Sequence, residues 1–186
     1  GRPLRPELLA IYKRYYSANI MKLVVLGNQS LDELQAMVEP RFEPVANNQV
    51  VVEAPAAPLF APEQLPVQLS IVPLQNSRSL SLNFPLPKMF PHWQKKPANY
   101  LAALLGHEGE GSLLEALKVR GWAEGLSAGT GLEDRGGALF YVDISLTPAG
   151  LAHQSEIVEM FFATVQMIQQ QGINKWRYLE TAQLSE

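Results

Sequence analysis

Two stretches of this 186-residue chain leave little choice of secondary structure. Leu80, Leu82, Phe84 and Leu86 alternate with Ser79, Ser81 and Asn83, while Ala138, Phe140, Val142, Ile144 and Leu146 alternate with Leu139, Tyr141, Asp143 and Ser145. A period of two sends successive side chains to opposite faces of a sheet, so each stretch is a strand with one apolar face that must be covered. The cover is written further along. Ile157, Met160, Phe161, Val165 and Ile168 form an apolar helical stripe, after a helix start at Thr147-Pro148 and before a stop at Gly172.

The remaining signals fill in around these. Residues 6–17 carry Leu8, Leu9, Tyr12, Tyr15 and Tyr16 at helical spacing, and Ser30-x-x-Glu33 is a capping box ahead of Leu31, Leu34, Val38 and Phe42. Between them, Ile20 to Leu26 is a short apolar run expected to be a buried strand. Residues 44–66 contain five prolines, which block helix interiors and central strands and mark a linker, with Val50 to Val52 a short edge strand. Val67, Leu69 and Ile71 alternate with polar neighbours, and Asn76-Ser77 then predicts a hairpin into the strand at 79–86. Residues 87–96 are a loop. Helices are expected over 98–105, over 113–119 with Ser112 as cap, and over 174–185; a strand is expected over Trp122 to Ala128. Together these predict an α+β fold, a mainly antiparallel sheet with helices packed on one face.

Composition narrows the function classes. Apolar residues make up 47% and charged residues 18%, values of a chain that buries a core. A net charge of −3 argues against binding nucleic acid through its phosphates. No apolar run approaches the roughly 18 residues needed to cross a bilayer, so no membrane partner is expected. Cysteine is absent, which removes disulfides and thiolate metal sites and leaves bacterial periplasm and cytoplasm equally open.

The residues that could carry chemistry are sparse. His92, His107 and His153 lie 15 and 46 residues apart, whereas a hydrolytic zinc held on a helix needs two histidines one turn apart and a third ligand. Gly125-Leu126-Ser127-Ala128-Gly129 spells Gly-x-Ser-x-Gly but falls along an expected strand instead of a strand-to-helix turn, so it is no nucleophile elbow. The run Leu105-Gly106-His107-Glu108-Gly109-Glu110-Gly111-Ser112 lacks the lysine of a phosphate loop and places two carboxylates where phosphate would sit. It reads as a tight turn leading into a helix. Trp122 reads as a strand residue packed on the core, and Lys88, Lys95 and Lys96 beside His92 and Trp93 as a solvated loop.

That same run, followed by Lys118-Val119-Arg120-Gly121-Trp122 and preceded by Tyr15-Tyr16-Ser17-Ala18-Asn19-Ile20-Met21 and Val24-Val25-Leu26-Gly27, resembles the insulinase and pitrilysin family of zinc metallopeptidases (M16, with LuxS-like domains). The family's His-x-x-Glu-His motif is absent here. The resemblance therefore implies residues 1–46 as the end of a catalytic domain, 47–65 as a connector, and 66–186 as most of a second, non-catalytic domain. No catalytic or metal-binding residue is expected in this chain, and zinc is expected in the parent, held upstream of Gly1. The implied function is to help enclose a chamber and hold peptide substrate, with the peptide and the remaining domains of the same polypeptide as partners. In relatives an edge strand and a nearby glycine hold the substrate's N-terminal segment. The matching positions are Gly106 and Glu108 in the turn and Leu126, Ala128 and Thr130 in the strand. Relatives carry glycine where this chain has Ala128, and histidine or glycine where it has Asn99, Ala102 and Ala103, so what carries over is a backbone-pairing role.

Other roles remain open at this point. A family member whose peptidase site has decayed would leave a scaffold or processing partner, a further branch matures a peptide-derived redox cofactor, and a stand-alone binding module is the third alternative.

Overall fold

The computed structural model describes residues 3–53 and 60–183, and the chain divides into two compact units, 1–54 and 55–186. The N-terminal unit contains helices α1 (Leu4–Tyr15) and α2 (Leu31–Phe42) and a single 3-10 turn at Ala18–Ile20 between them. The capping box forms as its sequence predicts: the Ser30 hydroxyl accepts the Glu33 N–H and the Glu33 carboxylate accepts the Ser30 N–H at 2.9 Å. These backbone and side-chain hydrogen bonds from Ser30 hold the Glu33 carboxyl below its usual range.

Among the described residues of this unit no apolar one is buried. What ties it together is polar. The fully buried Ser17 hydroxyl donates to Asn19 Oδ1 at 2.5 Å and accepts from the Asn48 N–H at 2.8 Å, while Asn19 Nδ2 donates to the Val50 carbonyl at 2.8 Å. The strand expected at Ile20 to Leu26 is not formed; Val24 is 89% and Leu26 97% exposed. Val50–Val52, Val67–Ile71 and the Asn76-Ser77 hairpin fail in the same way. The reason is common to all four. A strand exists only through the ladder it makes with a neighbour, and the described residues supply none.

The C-terminal unit is built on a three-stranded antiparallel sheet in the order β1-β3-β2, with β1 (Ser79–Leu86), β2 (Ala123–Glu133) and β3 (Ala138–Leu146). The alternation in β1 and β3 is realised in full. β3 is central, with Leu82 opposite Val142 on one side and Ala128 opposite Val142 on the other. Asp134 Oδ1 accepts the N–H groups of Gly136 and Gly137 and closes the β2–β3 hairpin. β2 runs five residues beyond Ala128, carried by glycines at 129 and 131.

Helices α3 (Pro97–Leu105), α4 (Leu113–Val119), α5 (Pro148–Ala152), α6 (Gln154–Gln171) and α7 (Lys175–Gln183) complete the unit. Ala98, Leu105, Leu113, Leu114, Leu117, Ile157 and Phe161 from α3, α4 and α6 meet Leu126, Phe140, Val142, Ile144 and Leu146 of the sheet in one core. Phe84 of β1 stacks on Phe161 at 5.7 Å between centroids. This is the α+β architecture with helices on one sheet face. Ser79, Ser81 and Asn83 with Leu139, Tyr141, Asp143 and Ser145 form the opposite face.

The helix that begins at Thr147 stops after five residues. Thr147 Oγ1 donates to the Gly121 carbonyl and accepts the Gly150 N–H, and Gly150 is pressed on the Trp122 carbonyl. His153 leaves helical geometry, stacks on Trp122 at 4.5 Å, and its Nδ1 meets Glu156 Oε1 at 2.9 Å as α6 begins.

Candidate functional site

The glycine-rich turn is a helix cap. Gly106 ends α3, and its N–H reaches the Ala102 carbonyl at 2.8 Å. His107 Nδ1 accepts the Gly109 N–H at 3.2 Å, so this histidine braces the turn. Gly111 takes φ +78°, where a glycine avoids the strain of a Cβ. Its N–H donates to Glu115 Oε2 at 2.6 Å while Ser112 Oγ accepts the Glu115 N–H at 3.1 Å, so one carboxylate and one hydroxyl close the start of α4.

Of the five positions singled out in the sequence, Gly106 and Ala128 come within ordinary contact range of each other. A Cβ built on Gly106 would lie 2.9 Å from the Ala102 carbonyl oxygen and 3.8 Å from the Ala128 nitrogen. What a side chain at Gly106 would have to push aside is the Ala102 carbonyl of its own helix, while the β2 backbone at Ala128 lies at ordinary contact distance. Leu126, Ala128 and Thr130 follow one another along the core-facing side of β2, opposite Ile144, Val142 and Phe140. Leu126 is buried, so only its main chain is available; Ala128 and Thr130 are half-buried. Glu108 stands out in the turn with its side chain exposed.

β2 is an edge strand. Its far side carries no strand among the described residues, so alternate N–H and C=O groups along it lack ladder partners. Small residues keep that strand approachable: Gly125, Ser127, Ala128, Gly129 and Gly131. Register shifts at Ala123/Gly125 and Thr130/Glu133 bulge the strand at both ends of this stretch.

One arrangement escapes the sequence reading. Tyr141, on the polar face of β3, lies directly over Gly129, where a Cβ would meet its Oη at 3.0 Å and Cζ at 3.2 Å. The available signal was an aromatic residue in the polar register of β3, combined with glycines at 129 and 131 of the neighbouring strand.

Among the described residues no three potential ligands come together, and no helix carries paired histidines.

The sequence pattern of the family described as the Peptidase M16 inactive domain matches residues 4–184. The chain belongs to the M16 peptidase family. This M16 chain is 41% identical over its whole length to insulin-degrading enzyme-like 1, peroxisomal, of Arabidopsis thaliana, and 40% identical to the A-factor-processing enzyme of Saccharomyces cerevisiae. It is 37% identical to the human insulin-degrading enzyme. It spans 19%, 18% and 18% of those relatives' lengths. Among solved structures it is similar to pitrilysin, with a TM-score of 0.78 and 23% identity over 94% of this chain and 19% of that one, a likeness of fold. Other relatives, from Caenorhabditis elegans and Schizosaccharomyces pombe, are named putative zinc proteases.

Proposed function

We propose that this M16 chain is a non-catalytic, chamber-forming and substrate-binding part of a zinc-dependent metalloendopeptidase that degrades peptides. The observation that carries the reading is the open edge of β2, lined by small residues from Gly125 to Gly131. An extended peptide adds to such an edge as a further strand, through main-chain hydrogen bonds that tolerate many sequences. That tolerance suits relatives named for acting on insulin and on A-factor. Gly106 and Glu108 border the docking segment and Leu126, Ala128 and Thr130 present it. Residues 1–46 end the preceding domain, 47–65 connect, and 66–186 form the docking domain. The zinc that cleaves the peptide is held by the parent polypeptide outside this chain, a reading supported by relatives named as putative zinc proteases.

The many exposed apolar side chains of the N-terminal unit, Val24, Leu26 and Phe42 among them, support the partnership with the remaining domains, which would give them cover. Amide hydrogen exchange on the 186-residue chain tests the docking edge. Saturating insulin B chain is expected to slow exchange at Leu126 to Thr130 and to leave β1 unchanged, with no cleavage. Protection confined to other elements, or none, refutes the reading.

A further inference from the structure

The strand register sets Asn83, Tyr141 and Gly129 side by side in one row across the sheet, on the face away from the core. Gly129 contributes no side chain to that row, and the Tyr141 ring fills its place. The phenol tip is the nearest atom to the missing Cβ, at 3.0 Å, and the ring continues along β2 so that a Cβ on Gly131 would meet Cδ1 at 3.4 Å. A ring laid over a glycine at a sheet edge shields the backbone beneath it. Here it also carries its hydroxyl past β3 to the outermost strand. No described residue hydrogen-bonds that hydroxyl, and it is open to solvent.

A peptide strand added to β2 would lie about 4.8 Å beyond it. The peptide residue opposite Gly129 would extend the row Asn83–Tyr141–Gly129 by one place, with its side chain on the same face as Tyr141. Only a glycine would separate the two side chains. A hydrogen-bonding side chain there satisfies the phenol, whereas an aliphatic one removes water from the hydroxyl and returns nothing. We propose that Tyr141 is a specificity-determining residue of the β2 edge, selecting a polar side chain at the peptide position opposite Gly129. This rests on the docking reading above and adds side-chain selection to an edge otherwise read by main chain alone.

The test uses the full 186-residue chain and fluorescein-labelled Thr/Val peptides of about ten residues, in which one position at a time carries Gln or Leu. Fluorescence anisotropy gives each affinity. The wild-type chain is expected to prefer Gln over Leu at one position by about three- to tenfold, the worth of one hydrogen bond. Tyr141→Phe keeps the ring over Gly129, so its melting temperature and its affinity for the Leu peptides should be unchanged while the preference disappears. A merely structural tyrosine would not move that ratio. Peptides that bind with no positional preference, or a preference that survives in Tyr141→Phe, overturn the assignment and leave the docking edge standing. Failure of every peptide to bind the wild-type chain overturns the docking edge and the assignment together.

Discussion

Gly150 should tolerate no side chain, although it lies in a helix. A Cβ built on it falls 1.9 Å from the Trp122 carbonyl oxygen, 2.8 Å from the carbonyl carbon and 3.2 Å from Cα. The first of these is roughly 1.5 Å short of ordinary contact at 3.4 Å. The opposing atoms are backbone, so no rotamer change relieves the overlap; α5 or the start of β2 must move. Moving them breaks what holds the two together: the Thr147 N–H on the Trp122 carbonyl at 3.1 Å, the Thr147 hydroxyl on the Gly121 carbonyl at 2.6 Å, and the Thr147 cap on Gly150 at 3.0 Å. Each such hydrogen bond contributes about 0.5–1.5 kcal/mol and overpacking costs typically 1–3 kcal/mol. Gly150→Ala is therefore expected to cost about 2.5–7.5 kcal/mol, a large part of the roughly 5–15 kcal/mol that holds a domain of this size. Helix propensity alone predicts the opposite sign, a gain of up to about 1 kcal/mol. Urea unfolding followed by far-ultraviolet circular dichroism separates the two. A Gly150→Ala midpoint equal to or above the wild type, at unchanged m-value, would refute the steric argument.

Leu114 is wholly buried between α4 and the sheet, so Leu114→Ala should lower stability by about 2–5 kcal/mol, read as a shifted urea midpoint; a shift below about 0.5 kcal/mol would mean that the site collapses around the gap. The Glu156 carboxyl is held below its usual range by the His153 side chain. A lowered folded-state value gives stability that is present above the ordinary carboxylate range and lost as pH falls through the lowered value. Glu156→Gln should thus be less stable than the wild type near about pH 7 and converge with it near about pH 3; a gap that widens on acidification contradicts the pairing.

Much of the C-terminal unit could be read in advance because its signals are local. β1 and β3 each have one buried face, so composition alternates along them. Ser30, Ser112 and Thr147 cap as their hydroxyls predict, since a cap needs only residues within one turn. The misread segments depend on distant partners. Val24 and Leu26, or Val67 and Ile71, look like strand residues whether or not a neighbour arrives, and sequence says nothing about the neighbour. The break at His153 follows from a stack on Trp122, thirty-one positions earlier in the chain. At the candidate site, Gly106 and Ala128 were singled out through the family resemblance, and their approach depends on how α3 packs on β2. The aromatic and the glycines of the Tyr141–Gly129 row stand in the sequence, but their pairing does not, because register between strands is fixed in three dimensions: a slip of one residue would send Tyr141 to the core face.

The clasp of Ser17, Asn19, Asn48 and Val50 has a calorimetric consequence. The heat-capacity step of unfolding arises from newly wetted hydrocarbon, while exposing amides and hydroxyls works against it. A unit fastened by hydroxyl and amide groups, with its leucines and tyrosines already wet, would loosen with almost no such step, over a broad span of temperature. In a scan of the isolated chain the sharp peak would belong to the sheet and its helices, and the first 54 residues would contribute little more than a sloping baseline.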